Sequence, residues 1–224
     1  MSKIALLIGS AVVALIAATT AHATLTFSGT IARDDQVQLF SFDMLAAGTA
    51  TIETFSYAGG TDAAGHLVPR GGFDPIVSVF DRVTGALIAL VDDGASRVDP
   101  ATGAAFDSFM TPALGPGLYW AAISQFDNFP IGPNLANGFL ESGATFTSAF
   151  GCSNGRFCDV SGVSPGNNRN GNFDLGISGP QVVPEPGTLA LIGLAIPGIF
   201  LAKRRRSEHT GTDAGASTSA LIAC

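Results

Sequence analysis

Between residues 24 and 183 the chain has no lysine and a single histidine, His66. The missing lysines leave six arginines against 15 acidic side chains in that stretch. Nucleic acid is drawn in by Lys and Arg contacts to phosphate, so this balance excludes it as a partner. The scarcity of histidine is equally restrictive. A Ser-His-Asp triad would have to recruit His66, which lies in a Gly-rich segment. A zinc protease helix needs His-Glu-x-x-His, and a phosphate loop needs Gly-Lys-Ser/Thr; the chain has neither. Aromatic side chains other than phenylalanine are also few: Trp120, Tyr57 and Tyr119. A lectin-like face built on exposed Trp and Tyr has only these to draw on.

The chain has 224 residues, of which 46% are hydrophobic. Two apolar stretches at the ends inflate that share. At the start, Lys3 precedes an uncharged run over residues 4–18, and Ala21-His22-Ala23 has the small-x-small form that signal peptidase reads. Cleavage between Ala23 and Thr24 is expected, with residues 1–23 as a signal peptide. A buried N-terminal helix is the alternative. Near the other end, Pro184-Glu185-Pro186 precedes an uncharged run over residues 187–202, and Lys203, Arg204, Arg205 and Arg206 follow at once. As a helix that run would extend about 24 Å at 1.5 Å per residue. A bilayer core is about 30 Å thick, and flanking basic side chains can snorkel across the difference. The basic cluster belongs on the cytoplasmic side. The two ends thus give one topology, with residues 24–180 outside as a single domain.

Pro-Glu-Pro, one apolar helix and a basic cluster, in that order, resemble the PEP-CTERM sorting signal over residues 181–206. The resemblance implies a Gram-negative source and an exosortase that processes the tail. It also implies a membrane-anchored precursor destined for the cell surface or beyond, and a link to exopolysaccharide and biofilm. One departure stands out. The usual signal stops soon after the basic cluster, whereas residues 207–224 add 18 more, rich in Ser, Thr, Ala and Gly, which read as a disordered tail.

Short apolar or alternating segments separated by Gly, Pro and Asp dominate the exported part. Strands are expected over residues 25–31, 37–42, 49–56, 76–80, 86–91 and 172–178. A hairpin is expected between 107–111 and 118–125, around Gly115-Pro116-Gly117. Residues 59–72 read as a long loop, and 128–170 as irregular with one strand near 145–150. No amphipathic helix is evident. This pattern predicts an all-β sandwich. The ordered series Gly72-Phe73-Asp74-Pro75, Leu90-Val91-Asp92-Asp93-Gly94, Asp107-Ser108-Phe109 and Leu114-Gly115-Pro116-Gly117-Leu118-Tyr119-Trp120 is similar to the bacterial pre-peptidase C-terminal domains. The resemblance implies a jelly-roll-like sandwich with an accessory role. The protease connection of those domains is not expected to carry over to this chain.

Two local chemistries remain. Cys152 and Cys158 flank a Gly/Asn-rich loop and are expected to close a small disulfide ring in an oxidising compartment, worth about 2 kcal/mol. Asp74, Asp81, Asp92, Asp93, Asp99 and Asp107 fall at strand ends or in the adjoining loops. Such carboxylates either cap turns or converge on a calcium ion, which takes six to eight oxygen ligands. The sequence leaves three functional readings: a non-enzymatic envelope or matrix protein that needs no cofactor and contacts exopolysaccharide or envelope proteins, a calcium-dependent carbohydrate-binding module, and a hydrolase built on a pair of acids.

Overall fold

The structure, a computed structural model, describes residues 23–141, 143, 145–151, 156–159, 168–179 and 182–183. Its strands are β1 (Ala23–Thr30), β2 (Gln38–Met44), β3 (Gly48–Thr49), β4 (Thr51–Thr54), β5 (Gly60–Thr61), β6 (Leu67–Val68), β7 (Pro75–Asp81), β8 (Leu87–Asp92), β9 (Phe109–Met110), β10 (Ala113–Leu114), β11 (Gly117–Gln125), β12 (Asn172–Gly179) and β13 (Val182–Val183). No α-helix occurs among the described residues; two short 3-10 helices do, Leu135–Asn137 and Phe146–Phe150. The strands form an antiparallel all-β sandwich. One sheet has the order β1-β12-β4-β9 and the other β13-β2-β11-β7-β8, with β10-β3 and β5-β6 as small two-stranded additions.

Alternation along the strands sends one set of side chains inward. Phe42, Met44, Val77, Val79, Tyr119 and Ala121 from the five-stranded sheet meet Ile52, Leu175 and Ile177 from the four-stranded one. Each large apolar side chain buried this way contributes about 1.5–3 kcal/mol. Phe42 and Tyr119 stack with ring centroids 5.4 Å apart, and the Tyr119 hydroxyl donates to the Gly115 carbonyl at 2.9 Å. A second cluster of Ile31, Phe73, Ile123, Phe157 and Phe173 closes one end. β7 is buried along nearly its whole length. Residues 126–141 account for its other face: they cross the outside of the five-stranded sheet, Leu87 N–H donates to the Pro133 carbonyl at 2.8 Å, and Phe139 meets Phe80 edge-on.

Three local expectations are corrected. The segments 107–111 and 118–125 do not form a hairpin. β9 pairs with β4, β10 pairs with β3, and β11 lies between β2 and β7 in the opposite sheet. Gly115-Pro116-Gly117 turns the chain but does not choose its partner; partly buried Met110 pairs with Ile52 and packs against the core. Residues 145–150 hold the second 3-10 helix, not a strand. The loop 59–72 contains the β5–β6 hairpin. Gly59 there has φ +66°, and a Cβ on it would sit 2.5 Å from the Val68 carbonyl oxygen.

The second 3-10 helix is tied down by a residue far away in sequence. Asp34, fully buried, accepts from the N–H of Thr145 at 2.6 Å, the N–H of Thr147 at 2.9 Å and the Thr147 hydroxyl at 2.7 Å. Asp34→Ala strands these donors. It is expected to cost about 1–3 kcal/mol and to open residues 145–151 to limited proteolysis at least tenfold faster than wild type. An unchanged cleavage rate would show that the segment is held by other contacts.

Candidate metal centre

Asp74 immediately precedes β7, Asp92 ends β8, and Asp93 follows it. Ile76 pairs with Asp92 and Pro75 with Gln125, so the sheet register gathers these strand ends at one edge of the sandwich. One carboxylate oxygen from each of Asp74, Asp92 and Asp93 lies within 4.8 Å of the others. The backbone bends sharply to achieve this. Asp93 has φ +75° and Gly94 φ +101°. Aspartate tolerates the left-handed region better than most side chains. At Gly94 a Cβ would lie 2.8 Å from the Phe109 carbonyl oxygen. The bend is anchored where Phe109 N–H donates to the Asp93 carbonyl at 2.9 Å.

The electrostatics are unfavourable as the side chains stand. Asp74 is only 4% exposed, and the Oδ1 atoms of Asp74, Asp92 and Asp93 are buried with no hydrogen-bond partner. So is Oε1 of Gln125, whose amide nitrogen donates to the Phe126 carbonyl at 2.8 Å. Burial, and then the charges of Asp92 and Asp93, push the Asp74 carboxyl well above the usual carboxylate range. Burial, followed by Asp93 and Asp127, raises Asp92 to about 6. Asp93 is raised by burial and by Asp107. Two carboxylates at such separation repel by roughly 3–4 kcal/mol at an effective dielectric constant of about 20. A bound cation removes that penalty without protons. Oxygens on opposite sides of a calcium ion stand about 4.8 Å apart, twice a typical Ca–O distance of about 2.4 Å. The donors are all hard oxygens, a set suited to calcium or magnesium and not to zinc or copper.

The other acids sit elsewhere. Asp81 caps the β7–β8 turn, accepting from Val83 N–H, Thr84 N–H and the Thr84 hydroxyl, and these bonds hold its carboxyl below the usual range. Asp107 is buried beneath residues 54–58 and accepts from the N–H groups of Ser56, Tyr57 and Ala58 at 2.6, 3.1 and 2.9 Å. Asp99 joins a buried ion network. It pairs with Arg70 and, at 2.9 Å, with Arg169, which also forks onto Asp159 at 3.0 and 3.1 Å and lies over the Tyr57 ring. Arg169 and Asp159 were not flagged by any sequence pattern, and neither was Gln125. Only the unusual burial of their charges and amide distinguishes them.

Tyr57 and Tyr119 are buried, and Trp120 is half-buried under the guanidinium of Arg82 at 4.7 Å. Cys158 is buried, while Cys152 lies outside the described residues. Two Gly-x-Ser-x-Gly pentapeptides, at 151–155 and 162–166, have their serines there too. The nucleophile elbow that such a motif serves needs a strand-to-helix turn. The segment preceding the first is the 3-10 helix Phe146–Phe150. His66 is held by Asp62, which accepts from its N–H at 2.7 Å and lies 3.0 Å from its Nδ1.

Among the described residues no helix is long and apolar enough to cross a membrane. Ala21, Pro184, Glu185, Pro186, the 187–202 run and Lys203 to Arg206 lie outside them. The last described strand, β13, pairs Val182 with Met44 and Val183 with Asp43 at the edge of the five-stranded sheet.

Comparison with known proteins identifies the PEP-CTERM protein-sorting motif at residues 182–206. The match therefore begins inside the sheet, and Pro184 follows directly on the last paired residue. The motif indicates an exported protein sorted through exosortase from a membrane-anchored precursor. No curated protein sequence matches the chain. Among solved structures, the pre-peptidase C-terminal domain of collagenase from Bacillus anthracis is similar at 11% identity and a TM-score of 0.32. The similarity covers 70% of this chain and 88% of that one.

Proposed function

We propose that the exported domain is a non-enzymatic surface or matrix module whose sandwich is fastened by calcium, and that it associates with extracellular polysaccharide. The observation that carries the cation is the group Asp74, Asp92 and Asp93, whose carboxylates converge within 4.8 Å and each of which has one buried oxygen without a partner. Gln125, which pairs with Pro75 at the same sheet edge, also carries a buried side-chain oxygen without a partner. The ion ties β8 to the start of β7, so its role is to hold the fold. Asp74 is too deeply buried to touch a polymer, which disfavours the same acids as a hydrolytic pair. The polysaccharide association is what the resemblance to the PEP-CTERM sorting signal implies.

Calcium titration followed by thermal melting tests the metal reading. At about 100 times Kd, a ligand bound only by the folded state adds about 2.7 kcal/mol. For a domain of this size that is a rise in Tm of roughly 5–11 °C. Asp92→Asn should remove most of the rise. No shift at millimolar calcium would end the proposal.

A further inference from the structure

The outer face of the four-stranded sheet is not a plain solvent face. Its outward side chains run in polar rows across the strands. Thr24 pairs with Ser178 and Ser178 with Thr51, Ser28 pairs with Asp174, and Thr30 pairs with Asn172. The β5–β6 hairpin lies against this face. Asp62 fixes its turn through the bonds to His66, and Gly65 N–H donates to the Asp62 carbonyl at 3.0 Å. Gly59 lets the two sides of the hairpin close on each other, since a Cβ there would run into the backbone of residues 68–70. A cavity lies on each side of the hairpin, about 190 Å³ on the Thr61 side and about 420 Å³ on the Leu67 side.

We infer that the larger cavity is a binding site for a neutral glycan; this rests on the polysaccharide association proposed above and gives it a place. Ser28, Thr30, His66, Asn172 and Asp174 supply polar groups to it, while Leu67, Val68 and Pro69 form an apolar wall. Leu67 is 80% exposed. A sugar ring has the matching chemistry, a rim of hydroxyls and an apolar C–H face. The volume falls within the range of about 300–1,000 Å³ usual for small-molecule sites.

Asp174 is the sharpest indication. It is 1% exposed, its Oδ2 accepts from the Ser28 hydroxyl at 2.5 Å, and its Oδ1 has no partner. A buried acceptor without a donor is costly, and Asp174 sits in the wall of this cavity. Charge selects the class of glycan. Asp174 lines the larger cavity and Asp62 and Glu53 the smaller one, with His66 the sole basic side chain at either. Arg97 is committed to Glu53 and the Thr54 carbonyl. Uronates and phosphates would be repelled, and neutral chains would not.

Isothermal titration calorimetry decides the matter, using the full chain in a detergent that has no sugar headgroup. The probes are cellohexaose, laminarihexaose and maltohexaose, with hexaguluronate as the acidic control. At least one neutral hexasaccharide should bind with Kd below about 1 mM, and hexaguluronate should not. Leu67→Asp and Asn172→Ala should each weaken binding about tenfold or more with Tm unchanged, as expected for one lost contact set. Absence of binding by all three neutral probes, equal binding of the acidic one, or unaltered affinity in both variants would overturn the site. Co-sedimentation with exopolysaccharide from the exporting cells separates the two levels of the argument. If wild type and both variants sediment equally, the association stands and the site falls. If wild type stays in solution, the association falls, and the calorimetry still judges the site.

Discussion

Arg169→Ala is expected to destabilise the exported domain by about 3–5 kcal/mol, which removes roughly 6–20 °C from Tm. The guanidinium is almost fully buried and neutralises two buried carboxylates, Asp99 and Asp159. It also lies 3.6 Å over the Tyr57 ring, and its Nη1 donates to the Tyr57 carbonyl at 3.4 Å. Removing it leaves both acids buried without the guanidinium that they share, while Arg70 still pairs with Asp99. Breaking a buried pair from one side is far costlier than never having built it. Arg169→Lys should recover little, because one ammonium cannot fork onto Asp159 while reaching Asp99. Chemical denaturation of the two variants beside wild type checks this. A loss below about 1 kcal/mol for Arg169→Ala would mean that water, not the guanidinium, solvates these acids.

Asp74→Asn should act in the opposite direction. In chelator at pH 7 the substitution is expected to raise stability by about 1–4 kcal/mol, as neutral replacements of buried charges often do, and to abolish the calcium-induced rise in Tm. The pH dependence follows from the same cluster. The Asp92 carboxyl titrates near 6 in the folded chain against an ordinary 3.8. The folded state therefore holds a proton that the unfolded state releases, so this contribution is full below about 3.8 and is lost as pH rises towards 6. Metal-free protein should melt higher at pH 5 than at pH 7. With calcium present the order should invert, because protons and the ion compete for the same oxygens. Asp62, Asp81 and Asp99, whose carboxyls lie below the usual range, carry the opposite slope, but only below about pH 3.8. A metal-free melting temperature that rises from pH 5 to pH 7 would contradict the electrostatic account of the cluster.

Much of the fold was legible because its signals are local. β1, β2, β7, β8, β11 and β12 follow from alternation and apolar runs bounded by Gly, Pro and Asp. The pairings of β9 and β10 were not legible. Each is two residues long, and the nearby Gly-Pro-Gly turn suggested a hairpin that burial against β4 and β3 prevents. The 3-10 helix at Phe146–Phe150 depends on the Asp34 carboxylate more than 100 residues away, and no local pattern reports that.

By itself, the sequence determined the sorting motif and the acidic character of the protein. Pro184-Glu185-Pro186 with its apolar run and basic cluster forms one contiguous signal, and the charged start, apolar run and small-x-small site set up the expectation of a second. Contiguous signals are read by other machinery before folding matters, so they stand complete in the chain. Composition likewise determined that the exported part is acidic, free of lysine and poor in histidine. Only tertiary structure decided what the acids do. Six aspartates looked alike at strand ends. Antiparallel register brought Asp74, Asp92 and Asp93 together, left Asp81 on its turn, and sent Asp99 to Arg169 and Asp107 under the backbone of residues 54–58. Carboxylates become a cation site through a few ångströms of convergence and loss of water, and both are properties of packing.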